Sequence, residues 1–471
     1  MLCYTEHIIL KGAQSAMETT LTRKKLEKLI CAAGLAVLGV LFAVWYIGNP
    51  GVSIPGFIAA LLSAALFAGV CLNFVPGWLQ SWSPGHAEAP TFPEGEPDGR
   101  EERKIFTVFL AADALVILLM YVLRAAMGYG TAFTKYLEFW TCTDSQHYLD
   151  IARDWYLSRG PLDRLVQLVF LPGYPLAVRA AERVVGSYLY AGLLVSALSF
   201  AGSGCVFYRL LRLDHSRTDA LRALKYLCIL PGAFFFTAPM SDSLFFLLSL
   251  ACIYSARRGG WWCAGVFGAL ASFTRSLGLM LVVPVLFELV SAAVNGEGGS
   301  KGKRAVNFLS LLIIPLGFAA YCYINYRVSG DPFKFMQYQR EHWGQRLGFF
   351  FNTASYQTED FLGYLSSGNI QYALGLYLPN LIADFSAPLL MLFAARKMRP
   401  GYTAYFIAYY AVAIGATWLL SAPRYMLGLM PVTLSLTELT KKRPADLAAT
   451  LICVLLYLLY SLAFVLRWQV W

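Results

Sequence analysis

Asp144, His147, Asp150 and Asp154 all fall within WTCTDSQHYLDIARDWY, residues 140–156. A carboxylate beside an imidazole has the types needed to take a proton from a hydroxyl group and to orient it. Steps of three and four residues put Asp144, His147, Tyr148, Ile151 and Trp155 on one broad face of a short amphipathic helix, with Asp150 and Asp154 on its flank. Apolar stretches flank the run, so the helix is expected in the interface plane with Asp144 at its N-terminal end. The plainer reading is that Asp144 caps this helix by accepting a backbone N–H bond.

Further along, LPGAFFFTAPMSDS (230–243) sets Asp242 at a break beside an apolar stretch. A carboxylate there is expensive to keep and suggests function, although it too could be a helix cap. SFTRSLG (272–278) and SAPRY (421–425) supply Arg275 and Arg424. The planar guanidinium suits bidentate phosphate binding; snorkelling at an interface is the alternative. GDPFKFMQYQREHWGQ (330–345) brings Gln337, Gln339, His342 and Trp343, which suit contact with sugar or lipid, or form an aromatic interfacial helix.

Positioning these residues falls to apolar helices. The 471-residue chain is 58% hydrophobic and 14% charged, with a mean hydropathy of +0.55, against about 25% charged for soluble domains. Runs of about 20 apolar residues recur, at 29–47, 55–78, 105–124, 187–211, 222–238, 240–256, 261–274, 278–294, 305–324, 371–393, 402–420, 424–440 and 447–467. The expected class is an all-α polytopic membrane protein of about 11–13 spans, with no alternating strand pattern for a barrel. Its net charge of +10 sits mainly in short loops, which points to topology and not to nucleic acid.

With the N-terminus inside, nearly every inside connection is basic, including Arg209/Arg212/Arg217, Arg257/Arg258, Lys301/Lys303/Arg304 and Lys441/Lys442/Arg443. Loops 125–186 and 325–370 are then outside, as are the turns at Asp242, Arg275 and Arg424 and the terminal RWQVW, with Trp468 and Trp471 as interfacial anchors. The division is a basic cytoplasmic N-terminus (1–28), a two-span hairpin (29–78), a disordered Pro/Gly/Glu-rich linker (79–104), a catalytic membrane unit (105–440) and a C-terminal span (441–471). Met17 is an alternative start, and no small-residue cleavage site follows the first basic stretch. Ten cysteines are scattered without a CxxC pair, which argues against zinc or a disulfide framework. The acidic residues lack a recognisable metal-ligand spacing, so no cofactor is assigned and a divalent metal stays open.

The ordered series TDSQHYLDIA, FLPGYP, LPGAFFFTAPMSDSLF, ALASFTRSLGL, GDPFKFMQYQREHW and SAPRYM resembles the PIG-V family of mannosyltransferases across about 105–440. The family usually has Trp-Asp where this chain has Thr143-Asp144, Asn where it has Leu277, and Ser-Glu where it has Ser241-Asp242. The resemblance implies a GT-C fold and inverting transfer of a hexose, by analogy mannose, from a polyprenyl- or dolichol-type phosphate sugar. It implies Asp144 as general base, Arg275 and Arg424 on the lipid phosphate, and His147 and Asp242 orienting the acceptor or its neighbours. A glycolipid or cell-surface glycan would accept the sugar, and the lipid tail would lie between spans. The compact loops and absent retention tail point to a bacterial cell membrane over the endoplasmic reticulum. A transporter or flippase, a ligase using a lipid-diphosphate donor, and a non-catalytic scaffold are the alternatives. The outer-face gathering of polar residues disfavours the transporter, and the acid/arginine series disfavours the scaffold.

Overall fold

The computed structural model describes residues 2–83, 95–130, 132–156 and 164–470, with side chains from Thr22 onward except at Arg164 and Leu165. Trp471 lies outside the described residues. Helices make up nearly every element, and an isolated antiparallel bridge joins Leu347 to Ala416. The all-α expectation is borne out. Among the described residues, eight helices are long and apolar enough to cross a membrane: Thr22–Gly48, Ile54–Ser81, Gly99–Ala126, Tyr188–Arg212, Ser276–Val294, Lys301–Ser329, Ile370–Lys397 and Arg443–Val465.

Between them sit shorter helices in the regions of the other expected spans: Arg217–Ile229, Asp242–Arg257, Pro400–Ala413, Ala422–Leu427 and Met430–Leu439. The breaks have local causes. After Ile229 come Leu230 and Pro231, then Gly232 at φ 87°, a backbone region that only glycine enters freely. Gly259, at φ 73°, and Gly260 separate Asp242–Arg257 from Trp261–Thr274.

The helix Asp242–Arg257 is central and packs between Tyr188–Arg212 and Trp261–Thr274. On its face Phe200 stacks on Phe236 (4.9 Å between ring centroids), and Phe246 tilts against Phe236 (5.4 Å). Trp261–Thr274 crosses Ile314–Ser329 so closely that a Cβ on Gly317 would lie 1.8 Å from the Ala269 carbonyl oxygen. Small residues at such crossings let backbones meet.

The N-terminal hairpin is docked, not loose. It packs on Phe350–Ser366, where Trp45 Nε1 donates to Asn352 Oδ1 (2.7 Å) and the Ser53 amide donates to Glu359 (2.7 Å). The ends of the expected 79–104 linker are helical, since one helix runs to Ser81 and the next starts at Gly99; residues 84–94 lie outside the described residues. Asp98 caps the second helix, and its first-turn Glu101 and Glu102 pair with Arg217 and Arg209, which explains the order there.

Candidate active site

The helix Ser145–Asp154 follows Thr143, held at φ 55°. Asp144 occupies the N-cap position, yet its side chain makes no cap hydrogen bond. Its Oδ2 instead accepts from Arg424 Nη1 at 2.7 Å, so the capping reading fails. Trp155 does not continue the helix face as the spacing suggests. The chain turns there to φ 61°, and Trp155 ends the helix with the Arg179 guanidinium 5.5 Å from its ring.

Asp242 opens its own helix but also spends its carboxylate on arginines. Arg424 Nη2 donates to its Oδ2 (2.9 Å) and Arg275 Nη1 to its Oδ1. Asp242 and Arg424 are each only 3% exposed, whereas the Asp144 side chain is 29% exposed. The result is a ladder, Asp144–Arg424–Asp242–Arg275, with its inner rungs dry and its Asp144 end open. Buried charges are tolerated only when paired in this way.

Local sequence sets each arginine. Arg275 lies in extended backbone (φ −147°) between Trp261–Thr274 and a tight turn over Ser276–Leu281. Gly278 closes that turn, and a Cβ there would sit 2.3 Å from the Ser272 nitrogen. Arg424 rides on Ala422–Leu427, whose entry is held by Asn380: its Oδ1 accepts from the Ala422 amide (2.9 Å), and its Nδ2 donates to the Leu419 carbonyl (3.1 Å). Tyr425 and Phe235 lie under the guanidinium groups of Arg275 and Arg424 at 5.2 and 5.1 Å.

These groups meet at a cavity of about 370 Å³ lined by Asp144, His147, Tyr148, Phe170, Arg275, Gln339, His342, Trp343, Gln345, Trp418, Arg424 and Tyr425, among others. Seven of the sequence candidates therefore share one wall system: Asp144, His147, Arg275, Arg424, Gln339, His342 and Trp343. Asp242 is not part of the lining and stands behind the two arginines. Gln337 is also elsewhere, between Lys334 and Glu341.

His147 stacks on Phe170 (4.8 Å, 21°) and meets Gln167 Nε2 at 3.4 Å from its Nδ1. Burial holds its pKa below the ordinary histidine value, against the opposing pull of Asp144 and Asp150, so the ring is neutral at pH 7. Tyr148, bonded to Ser241 Oγ at 2.8 Å, is pushed up to about 12 by burial and stays a hydroxyl. Sequence reasoning missed Tyr148 as a polar partner, and also Gln345, Trp418 and Asn380; no local pattern marks them, because their partners are distant in the chain. Among the described residues no group of three or more His, Cys, Asp and Glu forms a metal cluster, and the described cysteines are free thiols.

Asp144, Arg275 and Arg424 all line the cavity, and Asp144 is the most exposed of the three. A sequence model of the family described as mannosyltransferase (PIG-V) matches residues 128–329. The resemblance is thus borne out over residues 128–329, a stretch that contains Asp144, His147, Asp242 and Arg275, while Gln339, His342, Trp343 and Arg424 lie beyond it. The GPI alpha-1,6-mannosyltransferase 2 of Mus musculus is 28% identical over 206 residues, and that of Rattus norvegicus 27%. Each match covers 39% of this chain and 39% of the relative, so the chain spans well under half the length of the curated relatives it matches. Among solved structures, ArnT from Cupriavidus metallidurans bound to undecaprenyl phosphate aligns over 74% of this chain and 62% of its own, with 17% identity and a TM-score of 0.46.

Proposed function

We propose that this chain, matched to the PIG-V mannosyltransferases over residues 128–329, is an integral membrane glycosyltransferase moving a hexose from a polyprenyl-phosphate sugar to an acceptor hydroxyl. Mannose is the family analogue's sugar. The carrying observation is the ladder Asp144–Arg424–Asp242–Arg275 opening on one cavity.

In this reading Asp144 Oδ1 takes the acceptor hydroxyl proton as the oxygen attacks the anomeric carbon. The bond from that carbon to the phosphate oxygen breaks, and the lipid phosphate leaves with the electron pair. A single displacement inverts the anomeric centre. Arg275 and Arg424 stand where that growing charge needs them, and a dry setting strengthens such contacts. Asp242 holds both arginines in place. The neutral His147 orients the acceptor, and Gln339, His342 and Trp343 contact the sugars.

The lipid tail has a place to go. An apolar groove of about 410 Å³ is lined by Leu230, Pro231, Leu378, Ile382, Met426 and Trp468. Pro423, Met426 and Leu427 line it from the same short helix that carries Arg424.

The distribution of charge supports a cavity on the outer face. Helix Asp242–Arg257, 16 residues long with Asp242 at one end and Arg257 at the other, spans about 24 Å at 1.5 Å per residue. The Arg257 end gathers the basic clusters: Arg257 with Asp214, Arg399 with Glu288, Arg217 with Glu101 and Lys225 with Asp446. The positive end belongs inside, so the cavity faces outside or the lumen.

The test is mannose transfer from radiolabelled polyprenyl-phosphate mannose in membranes, wild type against Asp144→Asn at equal expression. Turnover that vanishes in the variant supports enzyme and base together. Turnover in both keeps the transferase and removes Asp144 as its base. A wild type that transfers no sugar from any polyprenyl-phosphate hexose, with glycolipid supplied, sinks the reading.

A further inference from the structure

We infer that Trp418 is the stacking plate of a pyranose subsite at the cavity rim, an inference that rests on the glycosyl-transfer reading. Trp418 is one of five described non-glycine residues at positive φ, at 58°. A bulky side chain persists there only where its surroundings impose it, and such strain collects at ligand sites.

The surroundings here are a clasp. Gly344–Gly348 runs beside Gly415–Trp418: the Gly348 amide donates to the Gly415 carbonyl (2.6 Å), the Thr417 amide to the Arg346 carbonyl (2.8 Å), and the Arg346 amide to Thr417 Oγ1 (2.8 Å). Gln345 Nε2 donates to the Trp418 carbonyl (3.1 Å), while Gln345 Oε1 accepts from Gln339 Nε2 (2.7 Å). Glycines make the close approach feasible. A Cβ on Gly348 would meet Gly415 O at 3.2 Å, and one on Gly415 would meet Gly348 O at 2.8 Å.

What this apparatus holds up is a large aromatic ring that is 48% exposed and lines the cavity. Phe170 and Trp343, packed edge-to-face at 5.9 Å, line it too. The negative face of an indole attracts polarised C–H groups, which a pyranose presents on one side. The amides of Gln339 and Gln345 offer donors and acceptors for the ring hydroxyls. An apolar plate beside a few placed polar groups is how sites fix a small ligand's orientation. The pyranose could be the acceptor's sugar or the donor's hexose, and the experiment separates the two.

Full-length protein in nanodiscs is titrated calorimetrically with dodecyl α-mannopyranoside and, separately, with farnesyl-phosphate mannose. Trp418→Gly removes the ring and relieves the left-handed backbone, so its melting temperature should not fall. Trp418→Leu keeps an apolar side chain and guards against a misfolded glycine variant; Trp418→Tyr keeps a ring. The glycine and leucine variants should bind one probe about tenfold more weakly, about 1.4 kcal/mol, with tyrosine recovering most of it. Weakening with the glycoside alone assigns the plate to the acceptor; weakening with the phosphate sugar alone assigns it to the donor. Unchanged binding of both probes overturns the inference and leaves Trp418 an interfacial aromatic, as does a wild type that binds neither. Binding is read without turnover, so absent transfer with intact probe binding counts against the transferase reading only.

Discussion

At the scale of the residue, the two aspartates of the ladder should fail differently. Asp242 is buried between two arginines, so Asp242→Ala strands their charge and should cost about 3–5 kcal/mol of stability, visible as a lowered melting temperature in detergent. Asp144 is partly exposed and makes one ion pair. Asp144→Asn should therefore cost at most about 1 kcal/mol while cutting transfer by about 10²–10⁴-fold; equal losses of stability in the two variants would contradict the geometry. His147 adds a pH signature. Its folded pKa is lowered by burial, so it contributes stability above the ordinary histidine pKa of about 6.5. That contribution is lost as pH falls through the lower folded value, where the ring must charge in a dry site. His147→Gln should flatten the fall in melting temperature between pH 7 and 5, and an unchanged slope would show that the ring does not titrate there.

At the scale of the element, the sequence made some features readable and hid others. The positions of Asp144, Asp242, Arg275 and Arg424 were legible because charge beside apolar runs is conspicuous, and the helix breaks were legible at Pro231, Pro239, Gly259 and Gly260. Which charge meets which was not legible, since Arg424 reaches Asp144 across 280 residues. The same limit hid Trp418: an aromatic between apolar stretches looks like any interfacial residue until the clasp that twists its backbone is seen. Helix crossings gave a fainter trace. Gly317 looks ordinary in sequence, yet it sits where Trp261–Thr274 and Ile314–Ser329 touch. Gly317→Ala should force the two helices apart and cost about 1–3 kcal/mol, moving the segment that carries Arg275. Thermal unfolding of the purified variant checks this, and an unshifted midpoint would mean the crossing yields freely.

At the scale of the whole molecule, one end is tied together by basic clusters and the other holds the cavity. Single cysteines at Arg258 and Leu347 report on this arrangement. Both side chains are on exposed residues. In sealed vesicles or intact cells, an impermeant thiol reagent added outside should label Leu347→Cys and spare Arg258→Cys; the reverse would invert the proposed topology. The hairpin Trp45/Ser53 contacts on Phe350–Ser366 extend the architecture beyond the matched family stretch and brace the segment that follows the clasp. The ladder has a further consequence for biogenesis. Asp242 and Arg275 are 33 residues apart and can meet soon after both are made. Asp144 must wait for 280 more residues, which at about 5–20 residues per second is roughly a quarter of a minute to a minute. During that interval the acid has no partner, so the cavity is finished only once Arg424 has been made, and a ribosome that stalls before Arg424 releases a chain whose early helices are inserted beside an uncompensated charge.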